Sequence, residues 1–250
     1  MMAKTYPVKA LNGFSNPCFP SKSSSLGVLA SLRWIFLVVA TMKDLIILGT
    51  GVHGAEMVEM VERVNAGKKT WNLLGFLSFD KAQKGQSFNQ TPVLGSFDQI
   101  LDFPNCFFVP NNKWNRATYL PMERVVSLID PATFVSRTAQ IGKGVVLYPH
   151  CYVGLQAKIG DFVFSLSNSV INHDVVLETG VILTSGVTLA GSVHVEEDCY
   201  LGQACTVREK LRIGKDSLIG MGAVVTKNVE PNSVMAGSPA KKLKERFTSK

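Results

Sequence analysis

From position 129 onward the chain repeats every six residues. Ile129, Val135, Ile141, Leu147, Val153, Ile159, Ser165, Ile171, Leu177, Leu183, Leu189, Val195, Leu201, Val207, Ile213, Ile219 and Val225 follow without an insertion. Only Ser165 departs from the aliphatic set. The fourth residue after each is mostly small or apolar, as in Ala139, Val145, Cys151, Ala157, Val163 and Val175. A helix places apolar residues three and four apart, and a simple strand two apart, so neither gives this spacing. A period of six fits a parallel β-helix in which six residues form one flat side and three sides close a turn. The aliphatic residue points inward and the fourth after it packs near the corner. Ser165 is tolerable there if its hydroxyl is hydrogen-bonded.

Residues 42–128 read differently. "DLIILG" is an apolar run ending at Gly49, which suits a buried strand. "GTGVHG" follows, and then a helix with apolar residues at Met57, Val58, Val61 and Val64, stopped by Gly67. "WNLLGFLSF" (71–79) and "CFFVP" (106–110) read as further strands, and "VVSLI" leads into the repeat. Strand, glycine turn, helix and strand make a small parallel α/β unit of Rossmann-like form. The expected order is thus a Rossmann-like unit over 42–128, a left-handed parallel β-helix over 129–235, and a basic tail over 236–250. Open ends of a β-helix need covers. The α/β unit is placed to cover the first turn and the segment after 231 the last.

The formal charge of +7 suggests a nucleic-acid partner until its distribution is considered. Residues 1–41 hold Lys4, Lys9, Lys22 and Arg33 and no acid, and "KKLKERFTSK" (241–250) is the other basic cluster. The rest lacks the broad basic face with interleaved aromatics that such a partner needs, so none is expected. The apolar run 26–40 contains Arg33 and is short of the ~20 residues of a membrane span, so no stable span is expected. It reads either as part of a targeting segment or as sequence ahead of a true start at Met42. Five cysteines (18, 106, 151, 199, 205) have no metal or disulfide spacing, which points to free thiols in a reducing compartment and a cytoplasmic protein.

The repeat also predicts neighbours. Residues eighteen apart stack on adjacent turns, ~4.8 Å apart. His173 therefore lies between Leu155 and Gly191. An imidazole can take a proton near neutral pH, and a bare glycine N–H can hold a carbonyl oxygen as it gains charge. Asp174 could orient the ring if a corner turns both side chains the same way. Taken alone, His173 reads equally as an exposed turn residue.

Several stretches in this order carry a resemblance: "LIILGTGVHG", "GFLSFD", "TPVLGSFDQI", "LIDPATFVS", "INHD", "LAG", "IGMGAVVTKNV" and "AGSPAKKL". Together they resemble the sialic acid O-acetyltransferase and UDP-4-amino-sugar (bacillosamine) N-acetyltransferase family of hexapeptide-repeat acyltransferases. The resemblance implies a homotrimer, with acetyl-CoA between neighbours and no metal. It implies His173 as general base, Asp174 as its partner, and Gly191 as the amide that holds the thioester oxygen. Gly220, Gly222 and Ala223 would line the pantetheine path, and Lys241 would meet the CoA phosphates. The α/β unit would hold a sugar or nucleotide-sugar acceptor through Gly49, Gly51, His53, Gly54 and Asp80. Two departures fall there. An acidic pair common in the family is Ser78, Phe79 and a single Asp80 here, and a later Ile-Gly-Asp/Asn is "VPNN" (109–112).

Other readings remain open at this point. The spacing Gly49, Gly51, Gly54 also satisfies a dinucleotide fingerprint, although the unit is short for one. A γ-carbonic-anhydrase-like hydratase would need His150, His173 and His194 on one metal, yet they occupy different places in the repeat. A non-catalytic β-helix scaffold is the third.

Overall fold

A left-handed corner recurs every six residues and shapes the larger part of the molecule. A computed structural model describes residues 42–112 and 119–247. The segment 1–41, with its apolar run and Cys18, lies outside the described residues. Seventeen two-residue strands, from β6 (Leu128–Ile129) to β22 (Val224–Val225), follow the period. Each from β6 to β19 pairs in parallel with the strand eighteen residues on, as in Val153 with Ile171 and Ile171 with Leu189. The first face takes β6, β9 and every third strand to β21, the second β7 to β22, and the third β8 to β20. This is the left-handed β-helix expected from the sequence.

The corner residues are 144, 150, 156 and so on to 222, and all have φ between 56° and 72°. Only Gly144, Gly180, Gly186 and Gly222 among them are glycines; Gln156, Phe162 and Lys210 hold the same conformation. Each such residue costs roughly 1–2 kcal/mol of local strain. Burial on both sides of the corner offsets it. The aliphatic residue of each hexapeptide and the fourth after it both point inward, and from Val145 to Val225 they form one continuous core. The fourth residue thus lies inside the prism and not at its corner. The inward serines find carbonyls: Ser169 Oγ donates to Leu166 and Thr184 oxygens at 3.0 and 3.1 Å. Ser165 is fully buried and donates more weakly to Leu166 O at 3.5 Å. Burial pushes the Cys199 thiol up to about 11 and Cys205 up to about 12, so both behave as core residues.

The α/β unit comprises β1 (Lys43–Leu48), α1 (Val52–Gly67), β2 (Trp71–Ser78), β3 (Ser87–Phe88), β4 (Thr91–Ser96) and β5 (Phe107–Pro110). Its sheet runs β3-β4-β2-β1-β5 and is parallel apart from the β3–β4 hairpin. It sits on the first face. Leu45, Ile47, Met57, Val58 and Val61 share a core with Leu128, Val146, Tyr148 and Phe164. Residues 42–128 are therefore continuous in packing with the β-helix. At the other end β23 (Ser233–Ala236) extends the first face and β24 (Lys241–Glu245) adds antiparallel to it. Part of the basic tail expected over 236–250 is thus an edge strand. No helix of the described residues is long and apolar enough to cross a membrane.

One ion pair ties α1 to the first turn of the prism. Arg63 Nε and Nη2 donate to the two oxygens of Asp130 at 2.6 and 3.0 Å. The Asp130 side chain is wholly buried and also accepts the Ala132 N–H. Burial works to raise its pKa, but the Arg63 and Ala132 hydrogen bonds outweigh burial and hold it below the usual carboxylate value. Stability from this group is present above the ordinary carboxylate range and is lost as pH falls through the lowered value. Arg63→Ala strands the carboxylate and should lower the urea midpoint at neutral pH. The gap from wild type should close steadily below about pH 4, which a pH series of unfolding curves measures.

Candidate active site

The corner between the second and third faces carries His173. Residues 172–174 link β13 (Val170–Ile171) to β14 (Val176–Leu177). Asp174 occupies the left-handed position, with φ 58°, and this turns its side chain to the same side as its neighbour. His173 Nδ1 and Asp174 Oδ2 stand 2.8 Å apart. A carboxylate only accepts, so the Nδ1–H donates and the Nε2 lone pair is left outward. The backbone is fixed by adjacent turns: Asp174 N donates to Leu155 O and Ser192 N to His173 O, both at 2.9 Å.

The other end of the ring lies on Gly191. A Cβ at that position would stand 2.5 Å from His173 Cε1 and 2.6 Å from Nε2, so any side chain would displace the imidazole. The Gly191 N–H has no acceptor among the described residues, whereas its carbonyl accepts from Lys210 N at 3.0 Å. A possible base, its orienting carboxylate and an uncommitted amide donor thus meet at one corner. In the single chain the corner is open: the His173 and Asp174 side chains are 62% and 47% exposed.

The remaining predicted residues lie elsewhere. Gly220 and Gly222 form the corner between the first and second faces in the last turn. Gly220 N donates to Met235 O, and Ala240 N to Val224 O, which lays the approach to Lys241 beside that corner. Lys241 is exposed at the start of β24. Ala223 turns inward and is fully buried, so only its backbone could meet a ligand. Within one chain these residues flank the second face opposite His173 and do not join it.

The glycine turn of the α/β unit is explained by close contacts. Gly49, at φ 107°, faces the buried Asn111, whose side chain would be 2.3 Å from a Cβ there. A Cβ on Gly54 would lie 2.6 Å from Gly49 O, so this glycine lets α1 approach the end of β1. Gly51, at φ 87°, precedes α1 as its cap. Gly49, Gly51 and Asp80 line a cavity of about 240 Å³ with Thr50, Ser78, Phe79, Gln83 and Phe88. Asp80 is partly committed, since its carboxylate accepts the Ala82 N–H at 2.9 Å. His53 lines a neighbouring cavity of about 280 Å³ with Thr50, Val52 and Asn112. Its Nδ1 stands 3.0 Å from Glu56 Oε2, and Tyr148 O–H donates to the same oxygen at 3.1 Å. Burial, and then the Glu56 charge, push the Tyr148 phenol far up, so it keeps its proton and can donate to Glu56. Glu56, Tyr148 and Gln83 escape sequence reasoning, because contacts between distant segments bring them to the site, whereas Asn111 falls in the "VPNN" stretch already singled out there.

Among the described residues no group of His, Cys, Asp or Glu could hold a metal ion. His194 belongs to β17 (His194–Val195) on the third face and pairs with Glu178 at 2.7 Å. His150 is a corner residue on the far side of the second face from His173.

No family model matches the chain. It is 43% identical over 51 residues to a chloramphenicol acetyltransferase of Klebsiella aerogenes, covering 20% of this chain and 24% of that protein. The chain thus spans about a quarter of the length of the curated relatives it matches. Solved structures match far more of it. The acetyltransferase domain of PglB from Neisseria gonorrhoeae superposes with a TM-score of 0.71 at 25% identity, over 80% of this chain and 100% of that one. This chain has the hexapeptide-repeat β-helix fold, and the PglB domain it resembles is named an acetyltransferase. PerB from Caulobacter crescentus, solved with CoA and GDP-perosamine, shares the fold with a TM-score of 0.71 at 23% identity, over 82% and 99% of the two chains.

Gly191→Ala tests the corner directly. The methyl group should push the imidazole away from Asp174 and move the His173 ring resonances in an NMR spectrum. Stability should change by no more than about 1 kcal/mol, because the site is exposed and away from the core.

Proposed function

We propose that the protein is an acetyltransferase that moves the acetyl group of acetyl-CoA to an amino or hydroxyl group of a sugar or nucleotide-sugar. The observation that carries this is the placing of His173 Nε2 over Gly191, with Asp174 behind Nδ1. The names of curated relatives and of the PglB domain, acetyltransferases, support the same reading.

The chemistry follows from the geometry. The acceptor nitrogen or oxygen approaches Nε2 and attacks the thioester carbonyl carbon as the imidazole takes its proton. The carbonyl oxygen gains charge and is held by the Gly191 N–H. Asp174 stabilises the imidazolium. The intermediate collapses, the C–S bond breaks, and the sulfur leaves as the CoA thiol with the proton from His173. One acetyl group has moved and the base is neutral again. Gly222 suits a slender pantetheine arm, because nothing stands within 4 Å of where its Cβ would be, and Gly220 is assigned to the same path by its place at that corner. Lys241 and the neighbouring Lys242 suit the CoA phosphates.

The two halves of this cofactor path lie on different corners of one chain. A symmetric trimer, in which the corner of one copy faces the other corner of its neighbour, brings them together. The exposed Phe134 and Tyr152, stacked at 5.1 Å on the second face, suit such an interface. The acceptor's nucleotide part is assigned to the cavity at the glycine turn. There a turn with φ above zero leads into α1, whose N-terminus favours phosphate. Buried free thiols and a need for acetyl-CoA suit a reducing compartment such as the cytoplasm.

Thiol release from acetyl-CoA in the presence of amino-sugar acceptors measures the activity. His173→Ala should lower it by roughly two to four orders of magnitude, the scale of a lost general base. Equal rates for the two proteins would sink the assignment.

A further inference from the structure

The cavity at the glycine turn contains a side-chain amide whose orientation is fixed. Thr50 Oγ1 and Ser78 Oγ both lie on Gln83 Oε1, at 2.7 and 2.6 Å. Ser78 is buried, and its oxygen already accepts the Asp80 N–H at 3.0 Å. Its hydroxyl hydrogen therefore needs an acceptor, and Gln83 supplies one only with its oxygen turned inward. The amide nitrogen must then point the other way, with two N–H donors that have no partner among the described residues. Gln83 lines the cavity, as do the rings of Phe79 and Phe88. Phe79 is exposed on this side and leans on Phe97, with ring centres 3.9 Å apart. The cavity thus combines apolar ring surface, a fixed pair of neutral donors, and the glycine turn ahead of α1.

We propose that Gln83 is the specificity-determining residue of the acceptor site, reading a nucleobase through a carbonyl oxygen on its edge. The proposal rests on the acceptor reading given above. A planar base fits between aromatic walls, where a sugar ring gains less from stacking. The neutral N–H pair suits a carbonyl, the best uncharged acceptor that a base offers, as in uracil or guanine. Adenine has no carbonyl; its N1 and N7 acceptors both lie beside the N6 amino group, whose hydrogens oppose the second Gln83 N–H and cost affinity. Thr50 and Ser78 act as positioning residues, because both hydroxyls hold the Gln83 oxygen.

Calorimetric binding of UDP, GDP, ADP and inorganic pyrophosphate tests this, with Gln83→Glu as the sharp variant. Glutamate keeps an oxygen for Thr50 and Ser78 but replaces the donors with a second acceptor. Wild type should bind UDP or GDP about tenfold or more tightly than ADP, on the scale of one lost hydrogen bond. Gln83→Glu should erase that preference and leave pyrophosphate binding within about threefold, at an unchanged Tm. If this variant unfolds, Thr50→Val with Ser78→Ala frees the amide to rotate and should also erase the preference. Equal affinity of wild type for UDP, GDP and ADP overturns the proposal, as does no binding of any of them. An equal loss for pyrophosphate also overturns it, since charge alone would then explain the variant. The readout is binding, so it is independent of transfer: His173→Ala should retain the base preference. Absence of thiol release by the wild type, with the preference intact, would count against the transferase reading alone.

Discussion

The left-handed residue at every sixth position is the constraint from which the β-helix follows. It turns the chain at a constant angle, so three corners close a turn of eighteen residues and every strand meets its successor in register. It also sends the residues on either side of the corner inward. A side chain such as Lys210 or Phe162 accepts an unfavourable backbone there because two buried neighbours depend on it. The same corner makes the chemistry possible. In an extended strand His173 and Asp174 would point to opposite faces, whereas at the turn they share one side and a 2.8 Å contact.

The inward aliphatic residues were legible because the interior tolerates few substitutes and so repeats visibly. The corners were not, since their requirement is a backbone angle that His150, Gln156 and Ala204 satisfy without any common side chain. In the α/β unit, β1, β2 and β5 stand out as apolar runs. The β3–β4 hairpin does not: β3 has two residues, and β4 contains Pro92 and Gly95, which weaken a strand pattern. The lysine-rich tail misleads for a related reason. Its strand is held by backbone pairing to β23, while its side chains all face outward and carry no alternation.

The site divides along the same line. His173, Leu155 and Gly191 could be stacked by arithmetic, because the repeat fixes which residues are neighbours. Asp130, paired with Arg63, and Tyr148, paired with Glu56, could not, since those partners join segments more than sixty residues apart across the junction of the two parts. At Ala223 the repeat turns the methyl group into the core, which leaves only the backbone facing outward.

The strand β24 has a further effect. A stack of parallel strands would otherwise finish on a row of unpaired N–H and C=O groups, able to template another chain. Here the final rung reverses direction and presents exposed Lys241, Lys242 and Lys244 along the rim. Approach of a second rim would set like charges against each other, so end-on growth into a fibre is discouraged by the same lysines that suit an anionic ligand.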